Sequence, residues 1–239
     1  MIKTAVIMAA GLGTRFGKYT EFIPKGFVEV DNKPMIIRSI ETLLACGIER
    51  IIIGTGYKKE AFEALQAIYP QIETCYSPHY AETNSMYTLY NTRSMIGNDD
   101  FLLLESDLIY EKKAIRSLMD CKEADVMLIS SVTKFQDQYY VEYDKNHILT
   151  NCSVNKEELD FKGELVGIHK LSNRFYQTMC ENYRKITDAK PKLGYEYELL
   201  HISQKLSPMY VLKIENLKWY EIDDEADLEY AEKNMIQYC

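Results

Sequence analysis

The sequence predicts an α/β fold with a mixed, mainly parallel sheet. Three observations carry that expectation. Short continuous apolar runs of strand length recur along the chain, beginning with Thr4-Ala5-Val6-Ile7-Met8. Amphipathic stretches of helical period lie between them, and this alternation is the pattern of a parallel sheet covered on both faces. At 239 residues the chain is long enough for one large core and needs no second domain. Residues 1–239 are therefore read as one domain.

Composition narrows the classes. Hydrophobic residues at 46% and charged residues at 27% argue against disorder. A net charge of −8 argues against a nucleic-acid surface, so an acidic protein that handles phosphates must gather its positive charge locally or use a metal. No apolar run reaches the length of a membrane span and no secretory segment opens the chain. The expectation is a cytoplasmic protein with no membrane partner. Cys46, Cys75, Cys121, Cys152, Cys180 and Cys239 show no C-x-x-C spacing, which suits free thiols better than disulfides or zinc.

The first apolar run breaks into Ala9-Ala10-Gly11-Leu12-Gly13-Thr14-Arg15. A strand that ends in a glycine turn leaves backbone N–H groups open to an anion. Arg15 and Lys25 add charge nearby. This is either a polyphosphate site or an ordinary turn. A dinucleotide fingerprint does not fit, because Gly11, Gly13 and Gly17 read G-x-G-x-x-x-G and Pro24 stops any long helix from following. Residues 18–24 read as a loop.

Lys33 to Gly47 has helical spacing and a glycine stop, and Glu49 to Gly54 is a second strand. Gly54-Thr55-Gly56-Tyr57 lies at that strand's carboxyl end, either a simple turn or a base-binding edge. Residues 58–68 form a helix and 72–76 a third strand. Asn84-Ser85 then offers a cap for the next helix and a polar edge for a nucleotide. Asp100 to Asp107 is an apolar strand ending in Glu105-Ser106-Asp107. A carboxylate there is expensive unless it is paired, caps a turn or holds a hard cation.

Residues 124–132 and 163–170 read as further strands. Asp137 to Asp144 and Lys192 to Leu200 interleave aromatic residues with polar and acidic ones. Any one tyrosine there packs the sheet by default. Together Tyr139, Glu142, Tyr195, Glu196 and Glu198 suggest a pocket for an alkylammonium group. Residues 209–214 form the last long strand, Trp219 to Leu228 follows with Asp223 and Asp224 at its centre, and an amphipathic helix closes the chain.

MAAGLGTRFG followed by PKGFVEVDNKPMI resembles the start of nucleotidylyltransferases of the sugar-phosphate and alcohol-phosphate type. Their pattern is A-A-G-x-G-T-R, a loop, then P-K-x-L-x-x-V-x-x-K-P-x-I; Phe27 departs from the usual leucine. The strand ending at Asp107 and the W-x-E-I-D-x-x-x-D-L run from Trp219 resemble the family again, so the likeness touches the start, middle and end of the chain. It implies a single Rossmann-like nucleotidyltransferase domain. Ala9, Ala10, Gly11, Gly13 and Thr14 would wrap a nucleoside triphosphate, with Gly56, Asn84, Ser85 and Ser106 also on the nucleotide. Arg15 and Lys25 would be catalytic, Lys25 at the α-phosphate. Asp107 and Asp223 would hold Mg²⁺, with Glu105 a mild departure from the family's first acid. The implied reaction is attack of a phosphate or phosphonate oxygen on the α-phosphorus, with release of pyrophosphate.

The enzymes that this sequence is most similar to in character use CTP and act on 2-aminoethylphosphonate or phosphocholine. A quaternary ammonium favours tryptophan faces, whereas a primary ammonium needs oxygen acceptors. With Trp219 as the single tryptophan that could join Tyr139, Glu142, Tyr195, Glu196 and Glu198 at the acceptor, the expectation leans to 2-aminoethylphosphonate. Phosphocholine and sugar 1-phosphates remain alternatives, as does a nucleotide-binding regulatory module without turnover, which would be expected to lose the metal acids. The resemblance is also compatible with a homodimer and with a fused or partner enzyme of the same pathway.

Overall fold

The computed structural model describes residues 2–134 and 138–238. The chain opens with β1 (Thr4–Ala9), then passes through two 3-10 segments, Thr14–Thr20 and Lys25–Phe27, to a small ribbon of β2 (Glu29–Val30) and β3 (Lys33–Pro34). Helix α1 (Met35–Ala45), β4 (Arg50–Thr55), α2 (Lys59–Ala64) and β5 (Ile72–Tyr76) follow as expected from their apolar periods. Next come α3 (Ser85–Asn91), α4 (Arg93–Ile96), β6 (Phe101–Glu105), β7 (Leu108–Tyr110), α5 (Lys113–Asp120) and β8 (Val126–Ser130). The last third holds β9 (Tyr140–Tyr143), β10 (Leu149–Ser153), β11 (Gly163–Leu171), α6 (Asn173–Ile186), α7 (Tyr195–Lys205), β12 (Tyr210–Ile214), β13 (Trp219–Glu221) and α8 (Glu225–Asn234).

The main sheet has nine strands along the path β10-β9-β11-β6-β1-β4-β5, with β8 also on β11 and β12 outside β8. Strands β1, β4, β5, β6, β8, β9 and β12 run one way, and β10 and β11 run the other. The mixed, mainly parallel α/β sheet expected from the sequence is what forms.

Period-2 alternation divides β1 between two cores. Ala5, Ile7 and Ala9 face α1, α2 and α5 through Ile40, Phe62 and Leu118. Val6 and Met8 face α3, α6 and α7 through Leu89, Tyr176 and Leu199. Each fully buried aliphatic side chain contributes about 1.5–3 kcal/mol. A third, smaller core matters most for function. Phe16, Val28 and Met35 from the first segment pack with Ile109, Tyr220, Ile222 and Ala231, so the N-terminal loop is fastened to the C-terminal run that carries Asp223.

Strand β11 is the one that joins the halves. It pairs antiparallel with β6, β8 and β9, and its register against β8 slips between Leu165 and His169. Gly167 sits in that slip at φ 75°, and a Cβ there would lie 2.9 Å from Glu105 Oε2. A side chain at this position would drive Glu105 out of its place.

No helix among the described residues is long and apolar enough to cross a membrane. Cys46, Cys75, Cys121, Cys152 and Cys180 are free thiols, and Cys239 lies outside the described residues.

Candidate active site

The carboxyl ends of β1, β4 and β6 open onto two adjoining cavities. The first, 390 Å³, is walled by Ala9, Ala10, Gly11, Leu12, Tyr80, Ala81, Thr83, Thr88, Ser106 and Tyr195. The second, 460 Å³, is walled by Gly13, Thr14, Arg15, Gln138, Tyr139, Leu165, Glu196, Glu221 and Asp223. Gly11, Leu12, Lys25, Asn84, Ser85, Glu105 and Asp107 border both. The seam between the cavities therefore runs over Lys25 and Asp107.

The glycine loop has the features its sequence implied. Gly13 takes the left-handed conformation at φ 63° and ψ 31°, and a Cβ at Gly11 would meet nothing within 4 Å. The backbone N–H groups of Gly11, Leu12 and Gly13 donate to no protein group among the described residues. The loop leaves donors and space for an anion.

Charges at the seam are paired. Lys25 Nζ lies 2.5 Å from Asp107 Oδ2 and 2.6 Å from Asp223 Oδ1. Arg15 donates to the same Asp223 oxygen at 2.7 Å, and Lys134 reaches the other at 3.3 Å. Burial opposes the Lys25 ammonium, but Asp107 and Asp223 outweigh it and hold its pKa above the usual value. Burial likewise opposes the Asp223 carboxylate, and Lys25, Lys134 and Arg15 hold its pKa below the usual range. Asp227 braces the group: its Oδ2 accepts from Lys134 Nζ at 2.7 Å and from Asp223 N at 2.9 Å. Asp224 caps α8 by accepting from Asp227 N, so Asp223 faces the site and Asp224 closes the helix.

Deeper in, the acids lack such partners. Tyr195 Oη donates to Glu105 Oε1 at 2.5 Å. Burial raises the Glu105 carboxyl well above its usual range, with Glu221, Asp107 and Glu196 adding to the effect. Burial pushes Glu221 up to about 8, helped by Asp107 and Asp223, and burial pushes Glu196 up to about 7. Oxygens of Glu105, Asp107 and Glu221 lie within 4.8 Å of one another, and the buried Asp107 Oδ1 accepts no hydrogen bond among the described residues. An all-oxygen cluster with an orphaned carboxylate oxygen fits a hard divalent cation. Lys25 bridges Asp107 and Asp223, the pair to which the sequence pointed, and Glu221 and Glu105 lie beside Asp107.

Most sequence candidates converge here: the glycine loop, Arg15, Lys25, Asn84, Ser85, Ser106, Asp107, Tyr139, Tyr195, Glu196 and Asp223 all border a cavity. Four do not. Gly56 is behind the wall, since a Cβ there would lie 2.6 Å from both Ala10 O and the Tyr80 ring, and Tyr80 forms the surface in its place. Glu142 of β9 pairs with Asn151 of β10, outside both cavities. Glu198 is on another face of α7, where Asn182 donates to it at 2.7 Å. Trp219 is buried in the core beneath the sheet, opposite Tyr110. Sequence reasoning missed Glu221, Lys134, Gln138 and Tyr80. Glu221 had a signal, because it stands two residues before Asp223 in the same acidic run.

Comparison with known proteins gives the family and the fold. A family model described as the MobA-like NTP transferase domain matches residues 5–178. The chain is 35% identical over 111 residues to a 2-aminoethylphosphonate cytidylyltransferase of Lancefieldella rimae, covering 46% of this chain and 45% of that one. It is 43% identical over 94 residues to the choline-phosphate cytidylyltransferase of Streptococcus pneumoniae, covering 39% of this chain and 41% of that one. These alignments span less than half the length of either relative. The solved structure of CTP:phosphocholine cytidylyltransferase from Streptococcus pneumoniae superposes with a TM-score of 0.81 at 26% identity, covering 97% of this chain and 99% of that one.

Proposed function

The chain belongs to the MobA-like NTP transferase family, and on that premise we propose that it transfers CMP from CTP to 2-aminoethylphosphonate. The observation that carries this reading is the pair of cavities meeting at Lys25 and Asp107. A nucleotide in the first and a phosphonate in the second would bring the α-phosphorus and the attacking oxygen together at that seam.

Pairing the two reactants in one geometry supplies much of the rate in such transfers. The acceptor oxygen attacks the α-phosphorus, the bond from that phosphorus to the bridging oxygen breaks, and pyrophosphate leaves with the electron pair. A phosphate-type acceptor with a second pKa near ~6 is already largely dianionic at neutral pH, so no general base is needed. Lys25 would turn from its carboxylates toward the α-phosphate, and Arg15 toward the leaving pyrophosphate, each stabilising developing charge. The loop N–H groups would hold the remaining phosphate oxygens. A divalent cation held by Asp107 with Glu221 and Glu105 would neutralise triphosphate charge; Asp223 joins such a set once Lys25 leaves it.

The choice of acceptor rests on the second cavity. Its far wall offers Tyr139, Gln138 and Glu196, all with oxygen acceptors, and no tryptophan faces it. That wall suits a primary ammonium, which needs acceptors, better than a trimethylammonium, which needs aromatic faces. The likeness to choline-phosphate enzymes supports the second reading, phosphocholine. Pyrophosphate release with CTP and Mg²⁺ decides between them when 2-aminoethylphosphonate, phosphocholine and glucose 1-phosphate are compared. Turnover at least tenfold higher with the phosphonate is the expected result. Equal or higher turnover with phosphocholine would replace the primary-ammonium reading, and silence with all three would overturn the choice of CTP.

A further inference from the structure

The first turn of α7 is a partition. Tyr195 borders the first cavity and Glu196 the second. A Cβ at Gly194 would overlap Glu196 Oε2, so the Glu196 carboxylate folds back over the start of the turn. What holds the partition to the nucleotide side is a short stitch between the starts of α3 and α7. Tyr195 N donates to Ser85 Oγ at 2.9 Å, and Met86 N donates to Leu193 O at 3.2 Å.

Ser85 occupies an unusual position in that stitch. Its Oγ accepts from α7, while its hydroxyl proton donates to no protein group among the described residues. The residue is half-buried and borders both cavities. A hydroxyl can accept and donate at once, so a ligand oxygen that takes the Ser85 proton fixes the rotor with its lone pair toward Tyr195 N–H. Such chains of hydrogen bonds strengthen one another. The same turn places Tyr195 Oη on Glu105, so its orientation reaches the acidic wall of the second cavity.

We propose that Ser85 is a positioning residue that couples the cavities: a nucleotide bound on one side fixes the acceptor wall on the other through the Ser85–Tyr195 bond. This rests on the cytidylyltransferase reading: both tests use CTP, and only the kinetic one also needs the acceptor. In steady-state kinetics, Ser85→Ala is expected to raise the acceptor KM several-fold to about tenfold, the size of one net hydrogen bond. The KM for CTP rises as well, because the same hydroxyl donates to the nucleotide, and Ser85→Thr, which keeps the hydroxyl, restores both. A rise in the CTP KM with the acceptor KM unchanged would overturn the coupling while leaving the activity intact.

Hydrogen exchange at residues 193–197 needs no acceptor. Adding CTP to the wild-type chain is expected to slow exchange there, and Ser85→Ala is expected to abolish the slowing. Absence of any change in the wild type at CTP concentrations that calorimetry shows to bind, or its persistence in the alanine variant, would overturn the proposal; no calorimetric binding of CTP would overturn the CTP reading instead. Thermal melts of the variants separate a local loss from misfolding, and Ser85→Cys, whose thiol is a weak donor and acceptor, carries the test if the alanine variant does not fold.

Discussion

The two cavities are made differently. The first is bounded by small residues and backbone from β1, the glycine loop and the start of α3, with only Tyr195 coming from late in the chain. The second draws Arg15 from the first segment, Tyr139 and Leu165 from the middle, and Glu196, Glu221 and Asp223 from the last quarter. Their charges differ as well. Asp107 and Asp223 each have a cation, whereas Glu105 and Glu221 beside Asp107, and Glu196 at the far wall, have none within ion-pairing distance among the described residues. On the proposed reading this is a division of labour: the paired groups would stabilise charge during the transfer, Glu105 and Glu221 would be available to a divalent cation, and Glu196 would select an acceptor that brings its own cation.

Breaking the seam gives the largest effect. Lys25→Met removes the ammonium that bridges Asp107 and Asp223, and kcat is expected to fall by on the order of 10²–10³, the scale seen when one charge-stabilising donor is lost. Stability drops too, by about 3 kcal/mol, since two carboxylates are left facing each other in a largely buried place. Kinetics and denaturant unfolding report these separately. Activity within tenfold of wild type would mean that the seam is structural only.

A change at the far wall acts on the acceptor alone. Glu196→Gln is expected to raise the acceptor KM about tenfold or more, as for loss of a charged hydrogen bond, with the CTP KM unchanged. The pH dependence has a definite sign. Burial holds Glu196 protonated below about 7, and an ammonium binds the ionised form, so acceptor kcat/KM should climb as pH passes upward through about 7. The glutamine variant should lose that component and keep only the ionisation of the acceptor itself. Ligand-free stability runs the other way. The native state keeps a proton that the unfolded chain releases near 4.5, so stability from Glu196 is full at low pH and fades as pH rises to about 7. Melting temperature against pH, wild type beside Glu196→Gln, reads this out.

The smallest effect lies outside both cavities. Trp219→Phe should lower stability by about 1 kcal/mol and leave the ratio of phosphonate to phosphocholine turnover unchanged, because its ring is in the core. A several-fold change in that ratio would put the tryptophan in contact with the acceptor and blur the division between core and wall.

How much was legible in the sequence follows the same line. The first cavity was, because its residues are local: a strand, two glycines and Asn84-Ser85 declare themselves within a few positions. The acidic strand end at Glu105-Ser106-Asp107 was legible for the same reason, since acids at the end of an apolar strand demand partners. The second cavity was legible only in part. Glu196 and Glu198 look alike in an alternating run, but the run is helical, and residues two apart on a helix point about 200° from one another. One meets the cavity and the other meets Asn182. Lys134 and Gln138 could not be found from their neighbours, because only tertiary packing carries them to the acids. Gly56 shows the reverse error. Its missing side chain makes room for Tyr80, not for a ligand.

Strand β11 has a consequence for the growing chain. It lies at the centre of the sheet, yet it is made late: β6 ends at Glu105, and the strand that covers its free edge begins at Gly163. During synthesis β6 can pair with β1 but must wait roughly 3–12 s for its second neighbour at ribosomal rates of about 5–20 residues per second. Through that interval an apolar strand, Phe101-Leu102-Leu103-Leu104, presents an unpaired edge of the kind that invites association with other chains. Nascent chains stalled before Gly163 should therefore depend on holding factors, while those that have released Leu171 should close on their own.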